Sequence, residues 1–486
     1  MATTSSTPQT SVSPSPSFAE KSTAPVSYVF QAKVDTRLPE VVGGKGSRFT
    51  VKDPATHETR EILDGMTGAA VGALGWGDED VVDFITKAAK NTTYQFPAVI
   101  GNRPAEELAE YYIKRSPPGT FAAATWTTSG SESNELALKT IRQYWLERGK
   151  PQKIKNLSRY TSYHGYSLGC LSLGNNNRAF PFKDILHPDT QFVKLPEFYP
   201  YHYQKEGETL EEYSERLLKQ YEDIILKEDP ETIASMTVET ISGTSIGTPV
   251  PTKTYMYGLR KLCTKYDILF HLDEVMCGTG RINSGGLNCW ENFLPLNEGP
   301  DLQTVGKTLG SGYVTIAGLL VSSKIRDEYV KGSNVIVGSS TYASNAFNCY
   351  VALEIQKKIE ELNLTKNMFE QGNYLGAQLK EKLASSKIAG EVRGLGGFWT
   401  VEIVKNKATR EPFARSLSIY NMTKNACFEN GLSVVGSNDC IRDVGGDFIM
   451  FAPHFTLTKE EADEMVKITV ESIKQVEEQL ETSGHL

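Results

Sequence analysis

Metal-ligand spacing is missing from this chain of 486 residues. Its seven histidines form no H-E-x-x-H or similar pattern, and its seven cysteines (Cys170, Cys263, Cys277, Cys289, Cys349, Cys427, Cys440) include no C-x-x-C. Scattered and odd in number, the cysteines point to neither a zinc site nor a disulfide framework. They read as small buried core residues in a reducing compartment, and no metal is expected. No apolar run approaches the roughly 18 residues needed to span a bilayer, which argues for a soluble protein without a membrane partner. Positive charge is not in excess either: the formal net charge is -8, which argues against a nucleic-acid surface. The first arginine is Arg37, so no basic presequence is visible, and no apolar run near the start suits secretion. The terminal Gly484-His485-Leu486 only faintly resembles a peroxisomal address, with glycine where a small polar residue belongs. A cytoplasmic location is the expectation.

What is present reads as an α/β chain. Residues 1–27 are rich in Ser, Thr and Pro and have the composition of a disordered tail. Residues 28–75 alternate Gly-rich and polar stretches with short apolar pieces, a loop-rich strand region by composition. Helical spacing follows at 78–90, through Val81, Val82, Phe84, Ile85 and Ala88, and again at 104–114. Strand and helix patterns then alternate: strand 121–126, helix 132–147, strand 235–239, helix 252–265, strand 268–273. That alternation predicts a largely parallel sheet covered by helices. Within 203–231, Leu210, Tyr213, Leu217, Leu218, Tyr221 and Ile225 mark one side of a surface helix, too short in heptads for a coiled coil. A long helix at 345–361 leads to strand signals at 397–404 and 448–451 and a final helix at 459–480, which fit a separate α+β lobe.

The chemistry concentrates between residues 267 and 313. An apolar run through Ile268, Leu269, Phe270 and Leu272 is too short for a helix and reads as a buried strand, with Asp273 and Glu274 at its carboxyl end. In open α/β sheets that end is where ligands bind. Lys307 stands between Gly306 and Thr308, with Gly310 and Gly312 beyond, so the backbone around it can approach a flat ligand closely. A strand-end carboxylate with a lysine in a glycine-rich loop suggests pyridoxal 5'-phosphate, an electron sink held by a lysine and helped by a carboxylate at its ring nitrogen. Taken singly, a turn aspartate and a solvated loop lysine are the commoner explanations. Nucleotide-binding alternatives fail on spacing. The glycine a P-loop needs five residues before Gly306 is Asp301, and Asn283 replaces the third glycine of a dinucleotide fingerprint begun at Gly278.

Four stretches resemble the class III (omega-type) aminotransferase family of pyridoxal-phosphate fold type I, over nearly the whole chain from about residue 51. They are T-S-G-S-E-S-N-E-L-A-L-K at 128–139, Y-H-G at 163–165, L-D-E-V-M-C-G-T-G-R at 272–281 and P-D-L-Q-T-V-G-K-T-L-G-S-G-Y at 300–313. The resemblance implies a large cofactor domain at 76–345 with a mostly parallel sheet flanked by helices, and a smaller α+β domain at 346–486. Residues 28–75 would pack with the small domain and lend residues to the site.

It also implies an aminotransferase that moves an amino group from an amine or amino acid to a keto acid or aldehyde by a ping-pong mechanism. Lys307 would carry the cofactor as a Schiff base and move the proton; Asp273 would sit at the pyridine nitrogen. Ser129 with Glu132 reads as a capping box opening a helix, which leaves Gly130 and Ser131 at a positive helix end, where the resemblance puts the cofactor phosphate. Tyr163 and Val275 would cover the two faces of the ring, His164 being structural. Thr341 would reach the phosphate in the neighbouring subunit of a homodimer with shared active sites. Glu239, followed by Thr240 where proline is frequent, and Arg442 would contact substrate, while Arg393 would fix the small domain. Decarboxylases and racemases of the same cofactor class share Asp273 and Lys307, and a non-catalytic cofactor-binding protein is a third reading.

Overall fold

Short buried strands, separated by amphipathic helices, build the central layer of the protein. The computed structural model describes residues 26–30, 34–174 and 177–486. The tail expected at 1–27 therefore lies outside the described residues except for Val26 and Ser27.

Three antiparallel strands, β1 (Glu40–Lys45), β2 (Arg48–Lys52) and β3 (Thr59–Asp64), come first. The central sheet follows: β4 (Ala123–Thr127), β5 (Lys155–Arg159), β6 (Phe192–Leu195), β7 (Ile233–Glu239), β8 (Leu269–Asp273), β9 (Leu302–Val305) and β10 (Ala317–Val321). The last group is β11 (Ala389–Leu395), β12 (Phe398–Ile403), β13 (Leu432–Ser433), β14 (Val435–Ser437) and β15 (Asp447–Phe451).

Among the described residues the central sheet runs β4-β10-β9-β8-β7-β5-β6. Its β6-β5-β7-β8-β9 portion is parallel, and β10 runs against both β9 and β4. The largely parallel expectation holds with this one reversal. Every residue of β7 and β8 is buried, as strands covered on both faces require. Polar side chains inside the sheet are paired: the Ser235 hydroxyl donates to Asn156 Oδ1 at 2.8 Å, and Thr237 Oγ1 lies 3.2 Å from His271 Nδ1. All seven cysteines are buried free thiols.

The expected helices form with small shifts of their ends, at Glu79–Asn91, Arg103–Arg115, Gly130–Glu147, Leu210–Lys227, Lys253–Lys265, Ala346–Glu361 and Lys459–Thr482. Leu210–Lys227 starts with a full capping box between Thr209 and Glu212, and its stripe of Tyr213, Leu217, Tyr221 and Ile225 is buried, while Leu210 remains exposed. Among the described residues no helix is long and apolar enough to cross a membrane.

The first and last parts of the chain meet. Strand β13 adds to β3 in parallel, Leu432 opposite Leu63, while β11-β12-β15-β14 form a separate antiparallel sheet. Amides of Ala452 and Phe455 donate to the carbonyls of Gly65 and Ala73. The Arg281 guanidinium is fully buried beside these joins, donating to the carbonyls of Gly72 (2.9 Å), Pro453 (3.0 Å), Gly397 (3.3 Å) and Ala70 (3.4 Å).

Candidate active site

Register places three polar residues side by side at the carboxyl edge of the sheet. Glu239 of β7 lies opposite Asp273 of β8, which lies opposite Thr304 of β9. Glu239 and Asp273 face a cavity of about 370 Å³ whose wall includes Gly130, Ser131, Tyr163, His164, Glu239, Asp273, Val275 and Lys307. Seven residues expected at the site from sequence, all of these except His164, are thus brought together. Thr341 and Arg442 are not on this wall. Thr341 is exposed, its carbonyl accepting from the Tyr94 hydroxyl at 3.1 Å. The Arg442 guanidinium lies over the Tyr160 ring, 4.3 Å from its centroid, and 3.5 Å from the Asp443 carboxylate. Arg393 pairs with buried Glu402 and donates to the Ile246 carbonyl at 2.7 Å, linking β11 and β12 to the loop after β7.

Asp273 is held from several sides. Its Oδ2 accepts from His164 Nδ1 at 2.8 Å and from Asn134 Nδ2 at 2.9 Å; its Oδ1 accepts from the Val275 amide at 3.1 Å. The Thr304 hydroxyl lies 3.2 Å from that oxygen and 3.0 Å from Asn134 Oδ1. Burial pushes the carboxyl up, but the hydrogen bond and charge of His164, with His271 and the Val275 amide, outweigh it and hold Asp273 below the usual carboxylate range. His164, expected to be structural, is therefore a direct partner of the key carboxylate. Sequence reading missed Asn134 and Thr304, whose contacts arise only once the helix and three strands are in register.

Asp273 and its neighbour point to opposite sides, as strand geometry dictates. Glu274 accepts from the Thr240 hydroxyl (2.7 Å), the amides of Cys289 (2.7 Å) and Trp290 (2.8 Å), and Gln303 Nε2 (3.1 Å). Burial pushes its carboxyl up to about 8 against the Thr240 hydroxyl and the Cys289 and Trp290 amides. Thr240, standing where proline is frequent, therefore has a use: its hydroxyl anchors Glu274. Glu239 accepts from the Ser242 hydroxyl at 3.0 Å and the Gly243 amide at 3.3 Å, and Arg159 Nη2 stands 4.0 Å away, donating to the Glu239 carbonyl.

Lys307 occupies a left-handed backbone position, φ 47°. That costs a non-glycine residue on the order of 1 kcal/mol, and such positions cluster at active sites. Burial is the main cause that brings its amine down to about 8, with the Arg281 charge adding to it and Asp273 and Glu239 opposing. The capping box at the cavity edge is only half formed. Ser129 Oγ accepts from the Glu132 amide at 3.2 Å, but Glu132 Oε2 takes the amide (2.7 Å) and hydroxyl (2.6 Å) of Thr128 instead of the Ser129 amide. Gly130 and Ser131 still open an 18-residue helix whose end faces the cavity.

The cavity fits a flat, phosphate-bearing heterocycle of the kind the sequence implies. A Cβ on Gly130 would lie 2.7 Å from Val275 Cγ1, and one on Gly165 2.5 Å from Ser131 Oγ, so larger residues would close the space or push the wall inward. An anionic acceptor, an accessible amine and a helix N-terminus share the one wall.

The family model described as aminotransferase class III matches residues 39–473. An uncharacterized aminotransferase of Schizosaccharomyces pombe is 34% identical over 449 residues, 92% of this chain and 95% of its own. Diaminobutyrate–2-oxoglutarate transaminase of Halomonas elongata is 31% identical over 451 residues, 91% and 92% of the two chains. Among solved structures, the omega transaminase of Pseudomonas jessenii in complex with PMP superposes with a TM-score of 0.82 at 26% identity, covering 92% of this chain and 94% of that one.

Proposed function

The chain belongs to the class III aminotransferase family, whose members use pyridoxal phosphate to transfer amino groups, and on that premise we propose how its residues divide the work. The observation that carries the reading is the presence of Asp273 and Lys307 on one cavity wall, with a helix N-terminus on the same wall. When bound, pyridoxal phosphate supplies a ring that spreads the electron pair left by a cleaved bond at the amine-bearing carbon. Asp273, kept anionic by its donors, holds the proton on the ring nitrogen. Gly130 and Ser131 bind the phosphate through their amides and the helix dipole. Tyr163 and Val275 flank the ring and exclude water. Lys307 would hold the cofactor through its amine and, with that amine free, would act as the base that moves the proton at the amine-bearing carbon.

The donor is an amine or amino acid and the acceptor a keto acid or aldehyde; the similarity to the Halomonas elongata enzyme supports a keto acid. Glu239 faces the substrate space, and Arg442 would reach it only by leaving the Tyr160 ring. We read residues 76–345 as the large cofactor domain and 346–486 as the small one, with 28–75 packed on the latter, a division supported by the β3–β13 pairing. A homodimer in the cytoplasm completes the picture, Thr341 reaching the partner's phosphate.

The test uses the loaded protein and an amine donor alone. One equivalent of donor should be consumed per site, with change of the cofactor's visible absorption, and turnover should begin only when a carbonyl acceptor is added. Lys307→Ala should abolish both the visible band of the attached cofactor and the turnover. Steady conversion of the amine without an acceptor would instead favour a decarboxylase or racemase.

A further inference from the structure

Two histidines beside Asp273 are each left with one unused nitrogen. His164 and His271 are almost wholly buried, and among the described residues neither Nε2 meets a hydrogen-bond partner. Their other nitrogens are engaged: His164 Nδ1 lies 2.8 Å from Asp273 Oδ2, and His271 Nδ1 lies 3.2 Å from Thr237 Oγ1. A buried polar atom without a partner is costly enough that native structures keep few of them, so two around one carboxylate call for a shared explanation. His271 precedes Asp273 by two positions on β8, so both side chains leave the same face of the strand, and Asp273 in turn holds His164. Thr237 is the register partner of His271 on β7.

Burial brings the His271 imidazole down to about 4; Asp273 opposes that shift and His164 adds to it, so both lie within electrostatic reach of the ring. His271 is therefore uncharged at neutral pH and carries a single ring proton. Donor and acceptor roles follow. The Asp273 carboxylate only accepts, so His164 Nδ1 carries a hydrogen, and in the neutral ring Nε2 is a bare acceptor. The Thr237 hydroxyl can donate to His271 Nδ1, which leaves the His271 proton on Nε2. One orphan is then a donor and the other an acceptor. A single water that receives from the first and gives to the second satisfies both. The Asn134 amide, which donates to the His164 carbonyl at 2.7 Å and to Asp273 at 2.9 Å, fixes where His164 stands but not how well its far nitrogen is served.

We propose, on the role assigned above to Asp273, that His271 is a positioning residue whose Nε2–H reaches His164 Nε2 through one internal water and so supports the tautomer of His164 that donates from Nδ1 to Asp273. The chain runs Thr237, His271, water, His164, Asp273, with every donor directed toward the carboxylate. No proton is transferred along it. A donor placed on one imidazole nitrogen makes the N–H on the other a stronger donor, so the chain steadies the charge of Asp273 from behind. Without it, His164 would hold the carboxylate with a weaker N–H and a buried lone pair facing nothing.

The test reads the histidine tautomers of the isotope-labelled apoprotein by two-bond proton–nitrogen correlation spectra, the seven histidines being sorted by single replacements. His271 should be protonated at Nε2 and His164 at Nδ1. Three variants then separate the two ends of the His271 ring. In His271→Asn the amide stands in for Nδ1 and keeps Thr237 but falls short of His164; in His271→Gln it extends to the place of Nε2; His271→Leu does neither. The His164 Nε2 signal should move downfield in the Asn and Leu variants, as an acceptor nitrogen does on losing its donor, and stay near its parent position in the Gln variant. With an amine donor and a keto acid, kcat should fall at least about fivefold in the Asn and Leu variants with KM within about twofold, while the Gln variant keeps at least about half of the parent kcat. A merely structural role would instead rank the three by urea midpoint, with Leu, the apolar fit to a buried site, closest to the parent. A parent without transaminase turnover would remove the role given to Asp273, and the apoprotein spectra would still decide whether the two histidines are joined. Protonation of His271 at Nδ1, a His164 Nε2 signal that ignores all three replacements, or an Asn variant as active as the Gln variant would each overturn the proposal.

Discussion

In the proposed reaction Lys307 has to be a nucleophile near neutral pH, and an ordinary lysine is a poor one because its ammonium form is so well solvated. Burial in the cavity brings its amine down to about 8. At pH 7 that leaves about 10% of the residue neutral, against well under about 0.1% for a solvated lysine. The sign is definite: a lowered lysine pKa puts the reactive, uncharged form at lower pH. Uptake of pyridoxal phosphate by the apoprotein, followed by visible absorbance, should therefore speed up about tenfold from pH 6 to 7 and level off a little above pH 8. A rate that keeps climbing toward pH 10 would show Lys307 to be solvated.

Asp273 makes the complementary case. Replacement by Asn keeps the volume but removes the charge, and a preorganised electrostatic contact of this kind is worth about 3 kcal/mol of barrier, or about a hundredfold in kcat. Near-parent turnover of Asp273→Asn would displace it from the ring nitrogen. That both residues line one cavity was legible in the sequence because each has a tell-tale neighbourhood, a strand end and a glycine-rich loop. His164, Asn134 and Thr304 were not legible in their actual role. Each is an ordinary polar residue until β8, β9 and the helix Gly130–Glu147 are laid together around Asp273.

Elements were readable where local patterning and tertiary burial agree, as in the helix Leu210–Lys227, whose apolar stripe and capping box both survive in the structure. They were less readable where pairing is non-local. The reversal of β10 leaves no mark in a buried apolar run, since A-G-L-L-V reads the same in either direction, and β13 is two residues long and exists only because β3 offers it an edge. The half-formed box at Ser129 shows the same limit in miniature, because Glu132 found a better pair of donors one residue earlier, on Thr128.

Arg281 is where such elements are joined. Its guanidinium serves carbonyls from the segment after β3, the β11–β12 turn and the loop after β15, and it has no carboxylate partner among the described contacts; burial lowers it to about 9. Arg281→Met would fill similar space but strand several buried carbonyls, each costing about 1–3 kcal/mol. The expected result is a fall in the urea midpoint equivalent to at least about 3 kcal/mol, with Arg281→Lys only partly better because three donors on a point charge cannot reproduce the fork. A midpoint within experimental error of the parent would show that these carbonyls find other partners.

At the scale of the whole molecule, one surface is not finished. Phe96, Val99 and Ile100 on one loop, and Val335, Ile336, Val337 and Tyr342 on another, are each more than half exposed. The two loops are tied into one surface. Tyr94 donates to the Thr341 carbonyl, Gln95 and Asn102 donate to that of Ser344 at 3.2 and 2.8 Å, and the Tyr94 and Tyr342 rings meet at 5.9 Å. Exposed apolar side chains grouped in this way are the usual mark of a protein contact surface. On the homodimer proposed above, a second copy of the chain would be the occupant, and it would give Thr341 a task, since Thr341 lies within this patch, is exposed, and is off its own chain's cavity wall. Under that proposal, covering both loops and their symmetry mates would make an obligate interface above about 2,000 Å². Sedimentation at assay concentration should therefore show a dimer. Phe96→Asp combined with Val337→Asp places uncompensated charges in the proposed contact and should shift the protein toward monomer, and pyridoxal phosphate should then bind more weakly, because each site would lose the Thr341 that the proposal draws from the partner. Thr341→Ala separates the two effects: the dimer should persist while cofactor affinity falls. A parent protein that sediments as a monomer with full activity would show that the cavity is complete within one chain and that the apolar loops serve some other contact.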